Sequence, residues 1–75
     1  MKDKLIALIA DELSVPKEKV TLDANLQDDL GADSLDAIQL IMSIENAFDI
    51  TIPETEIENL KMVRDLLRYI EEHAS

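Results

Sequence analysis

Ser34 is the residue whose setting most invites chemistry, in the run Gly31-Ala32-Asp33-Ser34-Leu35-Asp36. A serine nucleophile needs a base in hydrogen-bond reach, itself oriented by a third group. The only histidine is His73, and no lysine stands within fourteen residues of Ser34. Asp33 and Asp36 are weak bases at neutral pH. Autonomous hydrolysis at Ser34 is therefore disfavoured, and no catalytic residue is predicted. The plain alternative is a first-turn serine beside a capping aspartate. A helix N-terminus also suits an anion, because its free N–H groups and dipole stabilise negative charge. Ser34 is thus a reasonable place for a phosphate ester. Asp23, Asn25 and Gln27 resemble the opening of a calcium loop, but Asp28 and Ser34 stand where that loop needs Gly and Glu. With no cysteine and one histidine there is no thiolate, no disulfide and no zinc pair, so no metal site is predicted.

The elements that must position Ser34 follow from apolar spacing. The chain has 75 residues, enough for one small domain, 1–75. Hydrophobic residues make up 47% and aromatic ones 3%, so aliphatic side chains must build the core. One Gly and two Pro speak against a hairpin-rich fold. Leu5, Ile6, Leu8, Ile9 and Leu13 recur at helical spacing over Lys2 to Leu13, and Pro16 ends that helix. Residues 17–33 form a long connection anchored by Val20, Leu22 and Leu26, with Gly31 able to supply a turn; connections of this length are usually functional. A second helix runs from Ser34 to Phe48, with Asp33 as N-cap and Asp36 suiting the dipole. After a break at Asp49 to Ile52, Pro53 fits the first position of a short third helix, Glu54 to Leu60. A fourth, Met62 to Glu72, presents Val63, Leu66, Leu67 and Ile70 on one face. The expected fold is all-α: a small four-helix bundle of three main helices plus a short third.

The net charge is −10, and it is concentrated. Residues 20–60 hold ten acids and no base, while the flanks hold seven of each. Nucleic acid is excluded as a partner, because phosphate contacts need clustered Lys and Arg. Basic protein surfaces are the natural counterpart, although a solvated acidic face that maintains solubility is the plain alternative. No apolar run is long enough to insert in a membrane, and Met1-Lys2-Asp3-Lys4 does not open a signal peptide, so a cytoplasmic protein is expected.

On a helical wheel the second helix is apolar on two sides. Ala37, Leu40, Ile41, Ile44, Ala47 and Phe48 form one stripe, which should face the core. Leu35, Ile38 and Met42 form another, nearly opposite. This second stripe is either covered by the long connection or exposed as a partner site. Met42 suits the latter, since a thioether adapts to varied surfaces.

Asp28-Asp29-Leu30-Gly31-Ala32-Asp33-Ser34-Leu35-Asp36 resembles the attachment motif of acyl carrier proteins. Glu45-Asn46-Ala47-Phe48-Asp49-Ile50-Thr51-Ile52-Pro53 is similar to the end of that family's second helix and the following turn. The likeness covers nearly the whole chain. It implies a non-catalytic carrier, its Ser34 esterified with 4′-phosphopantetheine from coenzyme A by a phosphopantetheinyl transferase. Acyl chains would ride as thioesters on the arm's thiol, in a chain that has none of its own. The resemblance also implies docking of ketosynthase, acyltransferase and other acyl-processing enzymes through their basic patches. The docking positions would be Asp33, Leu35, Asp36, Ile38, Met42, Glu45 and Glu54, on a monomer whose interior can shelter an acyl chain. Gln39, Asn46, Ala47 and Thr51 stand where fatty-acid carriers often have acids. Fatty acid biosynthesis is the first expectation, with a dedicated polyketide, lipid or other specialised carrier as the alternative, and an unmodified acidic interaction module as a further one.

Overall fold

In the computed structural model, which describes residues 2–73, four helices follow one another: α1 Lys2–Leu13, α2 Ser34–Phe48, α3 Glu54–Ile57 and α4 Val63–His73. A single 3-10 turn, Lys17–Lys19, interrupts the long connection between α1 and α2. No strand occurs among the described residues; the only extended pairing is an isolated antiparallel bridge between Asn25 and Met62. The expected all-α architecture of three main helices and a short third is what the chain adopts.

Apolar periodicity decides which faces meet. Leu5 and Ile9 of α1, Leu40 and Ile44 of α2, and Val63, Leu66 and Ile70 of α4 are fully buried together. Tyr69 and Phe48 add aromatic rings to the aliphatic core, the first buried and the second packed at the margin. α1 and α2 lie side by side in opposite directions: Lys4 Nζ donates to Ala47 O at 3.0 Å, and Ser43 Oγ donates to Glu12 Oε1 at 2.6 Å. Lys4 also sits 5.1 Å from the centre of the Phe48 ring, within cation–π range.

Both long helices before the groove stop in the same way. Ser14 (φ 55°) and Asp49 (φ 54°) take left-handed backbone just after α1 and α2. Val15 N–H then donates to Ala10 O, and Ile50 N–H to Glu45 O, closing each last turn. α1 ends at Leu13 as the spacing predicts, and the chain has already left the helix at Ser14, two residues before Pro16.

The 17–33 connection is packed against the bundle. Val20 and Leu26 are buried and Leu22 partly so, as their apolar character suggested, and Ala24, Leu30 and Ala32 are buried with them. Leu26 N–H donates to Lys61 O at 2.9 Å, and Val63 N–H to Ala24 O at 3.1 Å, stitching the connection to the start of α4. Exposed Asp23 and Arg64 form an ion pair on the outside of this seam.

The edges of α3 and α4 differ in part from the sequence expectation. α3 starts at Glu54 as expected, with Pro53 extended (φ −62°, ψ 146°) just before it and not as its first helical residue. α3 ends at Ile57 because Asn59 and Leu60 donate to carbonyls three residues back, tightening the chain into turns. Met62 belongs to the bridge with Asn25, so α4 begins at Val63 and continues to His73.

Candidate functional site: the start of α2 and the groove beside it

Sequence dictates a sharp entry into α2. Gly31 has φ 73°, a left-handed conformation that a side chain would strain. Ala32 N–H reaches back to Leu26 O at 2.8 Å, folding residues 26–32 into a closed loop that delivers Asp33 to the helix. Within that loop Asn25 Oδ1 accepts from the N–H groups of Gln27 and Asp28, and Asp29 Oδ2 accepts from Asn25 N–H at 2.7 Å. Asp33 then caps α2: its Oδ1 accepts Asp36 N–H at 2.9 Å, while Asp36 Oδ2 faces Asp33 N–H at 3.4 Å. This reciprocal arrangement is a capping box built from two aspartates. Spacing of the two acids was the available signal for it, read in the sequence only as a cap and a dipole partner.

Ser34 is the first residue of α2 and is exposed. Both neighbouring carboxylates are turned onto backbone N–H groups by the capping box. The sole histidine lies elsewhere: His73 Nδ1 is 2.9 Å from Tyr69 O, and its ring stacks on Tyr69 at 3.9 Å. Among the described residues no group of three or more His, Cys, Asp or Glu is arranged to hold a metal ion.

A groove of about 610 Å³ opens beside Ser34. Ala37, Ile38 and Ile41 of α2 form one wall, Ile57 and Leu60 in and after α3 the other, and Leu26 lies between them. Glu54, Glu58 and Lys61 stand among its lining residues. Of its lining the sequence pointed to Ser34, Ile38 and Glu54 as site residues but not to the rest, because the groove is created by where α3 and the 26–32 loop come to rest relative to α2.

The second apolar stripe of α2 is exposed, not covered: Leu35 is 67%, Ile38 51% and Met42 57% accessible. Among the described residues these are the large hydrophobic ones left on the surface. The opposite stripe supplies core, with Leu40, Ile41 and Ile44 buried and Ala37, Ala47 and Phe48 half-buried. Of the acids, Asp33 and Glu54 are exposed and Asp36 half-buried. Glu45 is half-buried as well, and its Oε2 accepts Ile52 N–H at 2.8 Å. The structure therefore brings Ser34, Leu35, Ile38 and Met42 onto one accessible side of α2, with Ile38 shared between stripe and groove.

Residues 3–70 match the family described as "Phosphopantetheine attachment site". An acyl carrier protein of Syntrophobacter fumaroxidans is 46% identical over 70 residues, spanning 93% of this chain and 86% of its own length. The chain belongs to the acyl carrier protein family. A further carrier, from Clostridium perfringens, is 47% identical over 73 residues, covering 97% of this chain and 96% of its own. A solved Mycobacterium tuberculosis structure assigned as an acyl carrier protein superposes with a TM-score of 0.87 at 34% identity, with 95% of each chain covered. Family membership makes 4′-phosphopantetheine the cofactor and acyl groups the cargo. It also places acyl-processing enzymes in general among the partners. No described helix is long and apolar enough to cross a membrane.

Proposed function

We propose that Ser34 is the residue that receives the arm, and that residues 1–75 act as one non-catalytic, monomeric carrier domain in the cytoplasm. The observation that carries this reading is the exposure of Ser34 at the first position of α2, at the mouth of an apolar groove. An exposed hydroxyl admits a transferase, and a helix start tolerates the phosphodiester that results. The Asp36 N–H is already held by the cap, which leaves the N–H groups of Ser34 and Leu35 to face the anion. In the loading step the Ser34 hydroxyl oxygen bonds to the β-phosphorus of coenzyme A. The bond to the departing adenosine bisphosphate breaks, and the hydroxyl proton passes to a base of the transferase. The cargo thiol arrives with the arm, as it must in a chain without cysteine.

The groove is the fitting shelter for an acyl chain, since Leu26, Ile41, Ile57 and Leu60 present hydrocarbon next to the attachment point. Partner enzymes, among them the phosphopantetheinyl transferase, ketosynthases and acyltransferases, would dock basic patches on α2. Leu35, Ile38 and Met42 supply the apolar contact there, and Asp33, Asp36, Glu45 and Glu54 the charge. Rim charges steer encounter and fix orientation while adding modest affinity, which suits a carrier that must leave each enzyme quickly. Fatty acid biosynthesis is the pathway proposed. The test is intact mass: incubation with coenzyme A and a phosphopantetheinyl transferase adds one phosphopantetheine to the chain and none to Ser34→Ala. An unmodified chain would leave only an acidic interaction module.

A further inference from the structure

The α2–α3 connection is gripped at one peptide unit. The carbonyl of the Thr51–Ile52 peptide accepts Tyr69 O–H from α4 at 3.2 Å. The N–H of the same peptide donates to Glu45 Oε2 from α2 at 2.8 Å. A single peptide plane is thus held between two helices by one bond on each edge. Ile52 itself is buried, and Pro53, with its ring-fixed φ, leads directly into α3.

α3 has little else to hold it. It is one turn long, and none of its residues is fully buried. Its far end is secured by Leu60, which is buried, and by the bond from Leu26 N–H to Lys61 O. Its near end is held by the buried Ile52 side chain and by the clamped peptide. Ile57 of this same turn is a wall of the groove beside Ser34. A charge-assisted hydrogen bond is among the stronger local restraints available, and this one is partly shielded from water.

We propose that Glu45 and Tyr69 are positioning residues that clamp the Thr51–Ile52 peptide and so set where α3 rests as a wall of the groove. Glu45 acts inward through its carboxylate oxygen, which distinguishes it from an acid that serves a partner only by its charge. Opening of the groove then proceeds by release of this peptide, with the Leu60 end as the fixed point.

Amide hydrogen exchange on the unmodified full chain tests the clamp. Because it does not require an arm on Ser34, its failure is separable from failure of the proposed attachment site. In Glu45→Ala, exchange at Ile52 and Glu56 should quicken by roughly tenfold or more relative to Ile9 in α1. Glu45→Gln keeps an acceptor oxygen while removing the charge, and should bring exchange back to within about threefold of the parent chain. Unchanged exchange at Ile52 in Glu45→Ala, or Glu45→Gln as fast as Glu45→Ala, overturns the proposal. Should Glu45→Ala fail to fold, Tyr69→Phe reads the clamp from its carbonyl edge. Faster exchange at Ile52 and Glu56, with Ile9 unmoved, is then expected, and no change at either overturns it.

Discussion

Replacing Asp33 separates two roles that the start of α2 asks of one carboxylate. The side chain accepts Asp36 N–H at 2.9 Å and carries one of the ten acids of the 20–60 stretch. Asp33→Ala removes both the acceptor and the charge. Loss of an N-cap acceptor costs about 0.5–2 kcal/mol, typically near 1. Removing one acid from the crowded middle returns a few tenths through weaker repulsion. The expected net loss is about 1 kcal/mol, or roughly 4–8 °C in melting temperature for a domain of this size. Asp33→Asn removes the charge but retains a cap oxygen, and Asn caps about as well as Asp. It should lie within about 0.5 kcal/mol of the parent chain. Urea unfolding of the three proteins at fixed salt, followed by helical circular dichroism, measures both differences. Equal destabilisation in the two variants would refute the capping argument and leave charge as the operative property. No destabilisation in either would show that the Asp33–Asp36 bonds contribute nothing to folding.

Three further outcomes follow from the core, the buried phenol and the exposed stripe. Ile44→Ala, at a fully buried position of α2, should lower unfolding free energy by about 2–5 kcal/mol in chemical denaturation, a large share of a small domain's total; a loss below 1 would contradict tight packing there. Burial chiefly, and then the Glu56 and Glu45 carboxylates, push the Tyr69 phenol above its ordinary value. Folding thus favours the neutral phenol, so its contribution is complete below about pH 10 and fades as pH rises through the folded-state value; melting temperature should fall more steeply above pH 10 in the parent chain than in Tyr69→Phe, and parallel curves would contradict this. Met42→Ala, 57% accessible in the parent, should slow acyl transfer to partner enzymes while leaving helicity and melting temperature unchanged, and unaltered transfer would place docking on another face.

Much of this was legible in the residues, and the exceptions have physical causes. The 3.6-residue spacing of Leu5, Ile9, Leu40, Ile44, Leu66 and Ile70 identified the core faces, because those side chains have no other place to go. The doubled apolar character of α2 was equally plain, though only the folded chain shows that none of the described residues covers Leu35, Ile38 and Met42. Helix ends were less legible. The ends of α1 at Leu13 and α2 at Phe48 were read correctly, but the left-handed backbone at Ser14 and Asp49 that makes those stops falls on residues that do not announce it as Gly would. α3 was read as too long because Ile57 and Leu60 stand three apart as helical partners would, while the chain closes into tighter turns there. Tertiary pairing was invisible: Asn25 with Met62 and Glu45 with Ile52 depend on contacts between segments whose separate patterns carry no trace of the partner. Ser34 itself stood out by motif, whereas the groove beside it emerged only once α2, α3 and the 26–32 loop were in place.

The most direct measurement counts sulfhydryl groups. The polypeptide has no cysteine, so before loading a thiol-specific reagent should find none. After treatment with coenzyme A and a phosphopantetheinyl transferase, and removal of small molecules, it should find one thiol per chain, absent from Ser34→Ala treated in parallel. A loaded sample still devoid of thiol, or a thiol that persists in Ser34→Ala, would contradict a carrier whose cargo hangs from that hydroxyl.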